Sequence, residues 1–77
     1  MKFGEVIEQL KDGALAAREG WNGADQFVFL VDGATHNEQT FRPYIALNDV
    51  RGDISPWTPT AVDMLEEDWY VSRDEVA

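Results

Sequence analysis

Residues 27–31 form the run Phe-Val-Phe-Leu-Val, which is closed by Asp32-Gly33. Five consecutive apolar residues, rich in aromatic and β-branched types and bounded by a turn signal, predict a strand rather than a helix. Because successive side chains of a strand point to opposite faces, this strand is expected to be apolar on both faces. Strands of that kind normally lie in a sheet that is covered on both sides.

Shorter apolar segments on either side of this run predict the other strands of the sheet. Ala14–Arg18 precedes it as a short strand, and Tyr44–Leu47 follows it. Residues Asn48–Asp53 are typical of a hairpin turn, which returns the chain through Ile54–Trp57. Trp69–Val71 is expected to be the last strand.

The N-terminal residues predict an amphipathic helix. Apolar side chains recur at i, i+3, i+4 and i+7 and so form one stripe, made of Phe3, Val6, Ile7 and Leu10. Gly13 is expected to end this helix as its C-cap glycine.

A second, short helix is predicted near residue 60, and its start has two interpretations. Either Thr58 caps it with Pro59 at the first helical position, or Thr60 caps it with Asp63 three residues on. Its apolar face is expected to consist of Ala61, Met64 and Leu65.

This order of elements predicts an α+β fold, with a small, mostly antiparallel sheet, an N-terminal helix and a short helix before the last strand. We expect one small domain over residues 1–77, with a polar loop at Ala34–Thr40 and a frayed tail at 71–77. Two short helices cover only one face of a sheet, so the simplest cover for the other face is a second subunit. The alternative is that Phe27 or Phe29 packs under a loop of its own chain.

The size of the chain also favours an oligomer. A domain of 77 residues buries only about three fifths of its unfolded surface. The sequence contains no cysteine, which excludes disulfides. It contains a single histidine, His36, which disfavours a structural zinc site. Association of subunits remains the expected source of extra stability.

The charge of the chain limits its partners. Fifteen acidic residues against six basic ones give a formal net charge of −9, which disfavours binding to long nucleic acids or to anionic membranes. The sequence has no apolar run near 18 residues, and its N-terminus does not resemble a signal peptide. We therefore expect a cytoplasmic protein.

Residues suited to catalysis are nearly absent from the sequence. There is no cysteine nucleophile, and His36 lies in the most polar, loop-like segment. The consecutive acids Glu66, Glu67 and Asp68 are expected to be solvated, because neighbouring helical residues point in different directions and cannot share a metal ion. No glycine-rich phosphate motif occurs. We expect no enzymatic activity, no cofactor and no metal.

The aromatic residues are the better candidates for function. Trp21 lies at a turn tip between glycines, and Trp57 lies at a strand-to-helix junction. Both positions can offer a flat face on which a base stacks, although a small domain also uses tryptophan to fill its core. Arg18 precedes Trp21, and Arg42 precedes Tyr44, so each arginine is a candidate partner for a phosphate.

Several segments together resemble a known family of small phage and prophage proteins. The similarity runs from Phe3 to about Val71 and is carried by Phe3-Gly4-Glu5, Ala17–Gly23, residues 27–31, Pro43–Ala46, Ile54–Trp57 and Thr60–Trp69. The characterised members of this family are Thoeris anti-defence proteins of the second type.

The resemblance implies a sponge that binds a cyclic ADP-ribose isomer, glycocyclic ADP-ribose, without cleaving it. Holding this immune signal in the host cytoplasm would keep the Thoeris effector inactive. The resemblance also implies a homotetramer with pockets at subunit interfaces, and in some relatives separate binding of cyclic dinucleotides.

Eight residues are candidates for ligand contacts, and each has a role suggested by its chemistry. They are Trp21 and Trp57 for the base, Asn22 for polar contacts, Arg18 and Arg42 for the pyrophosphate, and Tyr44, Thr60 and Asp63 for ribose hydroxyls. Asp63 is alternatively a helix-cap carboxylate, and Arg18 a surface charge at a strand end.

Two other hypotheses belong to different classes, and the acid excess supports the first of them. The first is an acidic inhibitor or DNA mimic that binds a host nucleic-acid-binding protein. The second is a virion or assembly component. The acids are scattered, with one cluster from Asp63 to Glu75, whereas a mimic requires regular rows.

Overall fold

The computed structural model describes residues 1–21, 25–33, 35, 36 and 38–72. The elements are α1 (Phe3–Lys11), β1 (Leu15–Arg18), β2 (Phe27–Val31), β3 (Thr35–His36), β4 (Gln39–Thr40), β5 (Tyr44–Asn48), β6 (Ile54–Pro56), α2 (Ala61–Leu65) and β7 (Trp69–Ser72). This order confirms the predicted α+β fold. No helix within the described ranges is long and apolar enough to cross a membrane.

A five-stranded sheet forms the centre of the fold. Its strand order is β6-β5-β2-β1-β7, and every neighbouring pair is antiparallel. The run at 27–31 is therefore the middle strand, with Val28 opposite Ala16 on one side and Leu47 on the other. Pro56, which has no N–H to donate, lies in the edge strand β6, where proline is tolerated.

Two details differ from the expected strand pattern. The expected polar loop contains the two short strands β3 and β4, which pair with each other apart from the main sheet. Strand β7 contains the predicted last strand, Trp69–Val71, and runs one residue further, to Ser72, which was expected in the frayed tail and pairs with Leu15 of β1. Residues 73–77 of that tail lie outside the described residues.

Helix α1 ends where the sequence predicts, at a glycine with positive φ. Gly13 has φ +94° and donates its N–H to the Leu10 carbonyl at 3.0 Å, while the Ala14 N–H reaches the Gln9 carbonyl at 3.0 Å. These two bonds form a Schellman motif, which satisfies carbonyls at the end of the helix. The predicted stripe packs on one face of the sheet, where Val6 and Leu10 join the buried core.

Helix α2 starts at the second of the two predicted caps. The Thr60 hydroxyl accepts the Asp63 N–H at 3.1 Å, and the Asp63 carboxylate accepts the Thr60 N–H at 2.9 Å, which completes a capping box. The predicted apolar face of this helix is wrong, because Ala61, Met64 and Leu65 are all exposed, Leu65 at 80%. The buried residue of α2 is Asp63, because polar bonds rather than apolar contacts attach this short helix to the fold.

The face of the sheet opposite α1 is not covered by a described helix. Strand alternation places on it twelve side chains, none of which is charged, and we call this surface the open face. Its residues are Leu15, Ala17, Phe27, Phe29, Val31, Tyr44, Ala46, Asn48, Ile54, Pro56, Tyr70 and Ser72. The Phe27 and Phe29 rings pack against each other with centroids 5.9 Å apart, and both residues are only half-buried.

Candidate functional site

Four aromatic rings from distant parts of the chain meet on the helix-covered side of the sheet. We call Phe3, Trp21, Trp57 and Trp69 the aromatic cluster. The Trp21 centroid lies 5.3 Å from that of Trp69 and 6.0 Å from that of Trp57, and Phe3 lies 5.3 Å from Trp69. The three tryptophan pairs are edge-to-face, the geometry that the charge distribution of aromatic rings favours.

Burial divides the tryptophans of the cluster into a buried floor, Trp69, and a half-buried rim, Trp21 and Trp57. Trp69 is 3% exposed and belongs to the core. Trp21 and Trp57 are half-buried and pack against that core from outside. Each therefore combines the two roles that the sequence left open, since one part of the ring fills the core and another part remains accessible.

Trp21 contacts an ion-paired group that we call the carboxylate clamp, made of Arg18, Asp63 and Asp68. Arg18 donates from Nε to Asp68 Oδ1 at 2.8 Å and from Nη1 to Asp63 Oδ1 at 2.9 Å. A longer bond joins Nη2 to Asp68 Oδ2 at 3.4 Å. Arg18 therefore uses its fork of donors inside the molecule, and its side chain is only 12% exposed.

A glycine leaves room for the clamp. The Gly20 N–H donates to Asp68 Oδ2 at 3.0 Å. A Cβ at this position would lie 3.0 Å from the same oxygen and 3.4 Å from Arg18 Nη2. The Arg-Glu-Gly stretch that precedes Trp21 is thus explained by close approach of the backbone to Asp68.

Asp63 connects the clamp to the aromatic cluster. Its Oδ1 accepts a long hydrogen bond from Trp21 Nε1 at 3.4 Å, in addition to the bond from Arg18. Its backbone carbonyl accepts the Trp69 Nε1–H at 2.8 Å. One aspartate therefore supplies the acceptors for two indole N–H groups and also caps α2 through Thr60.

The clamp is ionised at neutral pH. Burial acts to raise the pKa of Asp63, but hydrogen bonds from the Thr60 N–H and the Arg18 guanidinium outweigh it, so that this pKa lies below its usual value. The hydrogen bond from Arg18 also lowers the pKa of Asp68. The hydrogen bond to Asp68 raises the pKa of Arg18 despite its burial. Two carboxylates and one guanidinium leave the clamp with one net negative charge, which does not attract a phosphate.

The structure brings together five of the eight predicted site residues. They are Arg18, Trp21, Trp57, Thr60 and Asp63. Tyr44 lies elsewhere, on the open face, opposite Val31. Arg42 is exposed just before β5, and within the described ranges it makes no ion pair. Asn22 lies outside the described residues.

Sequence reasoning missed Asp68 as part of this site. It was expected to be solvated with Glu66 and Glu67, yet its side chain is 27% exposed and pairs with Arg18. A run of acids after a helix is ordinarily solvated, so no local pattern distinguishes Asp68 from its neighbours. Phe3 and Trp69 were also not predicted as site residues, although both lie in segments that carry the family resemblance.

The open face contains a shallow cavity of about 200 Å³, bordered by Leu15, Ala17, Phe27 and Tyr70. Small-molecule sites usually enclose about 300–1,000 Å³. This cavity is smaller than that range. We take the aromatic cluster and the carboxylate clamp as the candidate site because five of the predicted site residues meet there.

Fold and site describe a small α+β domain with two half-buried tryptophans, one of which is hydrogen-bonded to an ion-paired polar network. The chain belongs to the Tad2-like family: the model of the Thoeris anti-defense 2-like domain matches residues 1–72. A similar protein is Thoeris anti-defense 2 of Bacillus phage SP01. It is 36% identical over 83 aligned residues, which cover 92% of this chain and 93% of that protein.

Proposed function

We propose that this protein is a phage anti-defence sponge: it binds a cyclic ADP-ribose isomer and withholds it from the Thoeris effector, without cleaving it. Membership of the Thoeris anti-defense 2-like family supports the biological role. The finer statement, that the target is glycocyclic ADP-ribose, is what the resemblance to the Thoeris anti-defence proteins implies, and the aromatic and polar side chains of the site suit the chemistry of such a ligand. Cyclic dinucleotides offer the same bases, riboses and phosphates and are the second ligand class to test.

The observation that carries this proposal is the half-buried rim of the aromatic cluster. Trp21 and Trp57 lie on a buried tryptophan floor and keep part of each ring accessible. Stacking of a base on an aromatic side chain contributes about 1–3 kcal/mol. Rings that are already packed lose little freedom on binding, and this rigidity favours affinity.

The polar contacts to the ligand come from groups that are not already used. The Thr60 hydroxyl accepts a bond from Asp63 and keeps its own proton to donate to a ribose oxygen. Arg42 is exposed and suited to the pyrophosphate. Arg18, by contrast, is engaged with two aspartates, so we assign the phosphate contact to Arg42 and a supporting role to Arg18.

The separation of Tyr44 from the aromatic cluster favours a site shared between subunits. Tyr44 is on the open face, whereas Trp21 and Trp57 pack on the other side of the sheet. A ligand that touches both groups receives them from different copies of the chain. This is the arrangement expected of a tetramer with pockets at its interfaces.

The open face is the surface through which we propose that the subunits associate. More than a quarter of all residues are charged, yet none of the twelve side chains on this face is. Depletion of charge and enrichment in aromatic residues are characteristic of the buried centre of an interface. In a chain with net charge −9, an uncharged face also lets two copies meet with the least repulsion.

The ion-paired acids do not support the alternative hypothesis of an acidic inhibitor. Asp63 and Asp68, both within the acidic cluster at the C-terminal end, face Arg18 and are not offered to a partner. The sponge is therefore the function to test first.

Calorimetry with the purified protein tests the proposal directly. The probes are glycocyclic ADP-ribose, cyclic ADP-ribose and a cyclic dinucleotide. We expect binding of the first, and release of the intact compound when the complex is denatured by heat. Trp21→Ala should weaken binding by about 1–3 kcal/mol if the ring stacks on the base.

The matched control for that variant is Val50→Ala. Val50 is an exposed apolar residue in the β5–β6 turn and lies outside the aromatic cluster. Its affinity should equal that of the wild type. Absence of heat with all three nucleotides, or recovery of a cleaved product, would overturn the sponge.

A further inference from the structure

Asp63 holds a position in this fold that neither a helix cap nor a direct ligand contact explains. Thr60 caps α2 by itself, and an aspartate at this position completes the capping box with Oδ2 alone. The other oxygen, Oδ1, points away from the helix toward Arg18 and Trp21. The residue is also 7% exposed, so a ligand has little access to its carboxylate.

We propose that Asp63 is a positioning residue, which fixes the ring of Trp21 as a wall of the nucleotide site and is itself held in place by Arg18. This inference rests on the proposed function for the identity of the ligand. The part of the inference that concerns the orientation of the Trp21 ring is independent of the proposed function.

Two bonds fix the plane of the Asp63 carboxylate. Oδ2 is bound to the Thr60 N–H at 2.9 Å, and Oδ1 is bound to Arg18 Nη1 at 2.9 Å. Both partners are rigid, since Thr60 is the helix cap and Arg18 is anchored a second time on Asp68 at 2.8 Å. An acceptor fixed in this way defines one direction for the N–H that reaches it.

Trp21 is the group that gains from this fixed acceptor. Its backbone N–H reaches the Arg18 carbonyl at 3.1 Å, so the main chain is also attached to the clamp residue. Turning the indole about its ring torsion would separate Nε1 from Asp63 and break the edge-to-face packing on Trp57 and Trp69. The ring is thereby held in one orientation before a ligand arrives.

A fixed ring raises affinity because binding no longer has to order it. Immobilising one side chain on association weakens binding by about 2- to 10-fold, so loss of the Asp63 contact should cost about that factor. The effect differs from that of Trp21→Ala, which removes the stacking surface altogether.

The test uses Asp63→Asn and the signals of the three indole N–H groups in a nitrogen–proton correlation spectrum. Trp21→Phe and Trp57→Phe assign the signals. We expect Asp63→Asn to shift the Trp21 signal toward that of a free indole in water, because a neutral amide oxygen is a weaker acceptor than a carboxylate. The Trp69 signal should stay in place, because its acceptor is the backbone carbonyl of residue 63, which the substitution retains. An unchanged Trp69 signal therefore shows that the fold of the variant is intact.

The affinity for glycocyclic ADP-ribose is measured on the same samples. We expect a loss of about 2- to 10-fold for Asp63→Asn and none for Glu67→Gln, a matched change at an exposed acid. A positioning role of Asp63 predicts weaker binding by a fully folded Asp63→Asn variant. A merely structural role predicts unchanged affinity once that variant is folded.

Two results would overturn the positioning role. One is an unshifted Trp21 signal in folded Asp63→Asn protein, and the other is a shifted signal with unchanged affinity. If Asp63→Asn does not fold, Trp21→Phe replaces it in the binding measurement, because it removes the N–H donor and keeps an aromatic face. Wild-type-like affinity of Trp21→Phe would then contradict the role. Absence of nucleotide binding by the wild type would refute the proposed function, while the spectrum would still decide whether Asp63 orients the ring.

Discussion

Arg18 and Asp63, 45 residues apart in the sequence, are joined by a 2.9 Å bond from Nη1 to Oδ1. Arg18 ends strand β1, and Asp63 is the buried residue of helix α2. Because the apolar side chains of α2 are exposed, this ion pair is a principal attachment of the helix to the sheet. The same bond supports the aromatic cluster, so stability and the candidate site share one contact.

Loss of the clamp cation should destabilise the protein more than loss of a surface cation. Arg18→Met leaves two carboxylates without their partner, one of them buried, and an uncompensated buried charge is strongly unfavourable. The free energy of unfolding in urea measures the effect.

Lys11→Met provides the matched comparison for that measurement. Lys11 pairs with Glu8 at 3.4 Å, but the two side chains are 66% and 71% exposed. Exposed pairs contribute about 0–1 kcal/mol, so this variant should be close to the wild type. Equal losses for the two variants would show that the clamp does not hold α2.

The stability of the fold should decline in acid. The pKa values of Asp63 and Asp68 lie below their usual value in the folded state, so the unfolded chain takes up protons first as the pH falls. The contribution of these groups is complete at neutral pH and begins to be lost below about pH 5, near the ordinary aspartate value.

Urea unfolding at a series of pH values from 7 downward measures this dependence. Asp68→Asn removes one of the two titrating groups, and its free energy of unfolding should fall less steeply with pH than that of the wild type. Parallel curves for the two proteins would contradict a pKa of Asp68 that folding lowers.

The helix cap predicts a moderate loss of stability. Thr60→Ala removes the hydroxyl that accepts the Asp63 N–H and should cost about 1 kcal/mol. Thr60→Ser keeps the hydroxyl and should remain near the wild type in the same thermal or urea denaturation. A serine variant as unstable as the alanine variant would mean that the methyl group, rather than the cap, carries the effect.

A charge on the open face should dissociate the proposed oligomer. Phe29 lies in the central strand of that face, so Phe29→Lys places a cation in the middle of the proposed interface. Sedimentation or native mass spectrometry should then find a smaller assembly than for the wild type. Val50→Lys makes the same change in charge at an exposed turn and should leave the assembly intact.

The floor and the rim of the aromatic cluster should respond differently to truncation. Trp69 is buried in the core, and Trp69→Ala should cost about 3–5 kcal/mol of stability. Trp57 is half-buried on the rim, so Trp57→Ala should cost less stability and reduce nucleotide affinity in a protein that still folds. Thermal denaturation and calorimetry on the two variants compare these effects.

Much of the fold follows from short-range patterns in the sequence. The stripe of α1, its end at Gly13 and the run at 27–31 all depend on neighbours within a few residues. The capping box at Thr60 and Asp63 was one of two local interpretations, and the structure chose between them. The apolar face of α2 was predicted wrongly because a helix of five residues is too short for its periodicity to decide which side packs inward.

The candidate site was predicted less completely than the fold. Trp21, Trp57, Thr60 and Asp63 were singled out by their residue types and turn or cap positions, and they meet in the structure. Asp68 was not singled out, because only its contact with a residue 50 positions away separates it from the other acids.

The amino-acid sequence alone determined the central strand, the amphipathic first helix and the glycine and threonine that bound the helices, because these features arise from chemistry between near neighbours. Only the tertiary structure decided that Arg18 is held by two aspartates and that Asp63 turns inward to meet Trp21. Those contacts join residues 42 to 50 positions apart, and which of several acids meets one arginine depends on how the sheet and helices pack.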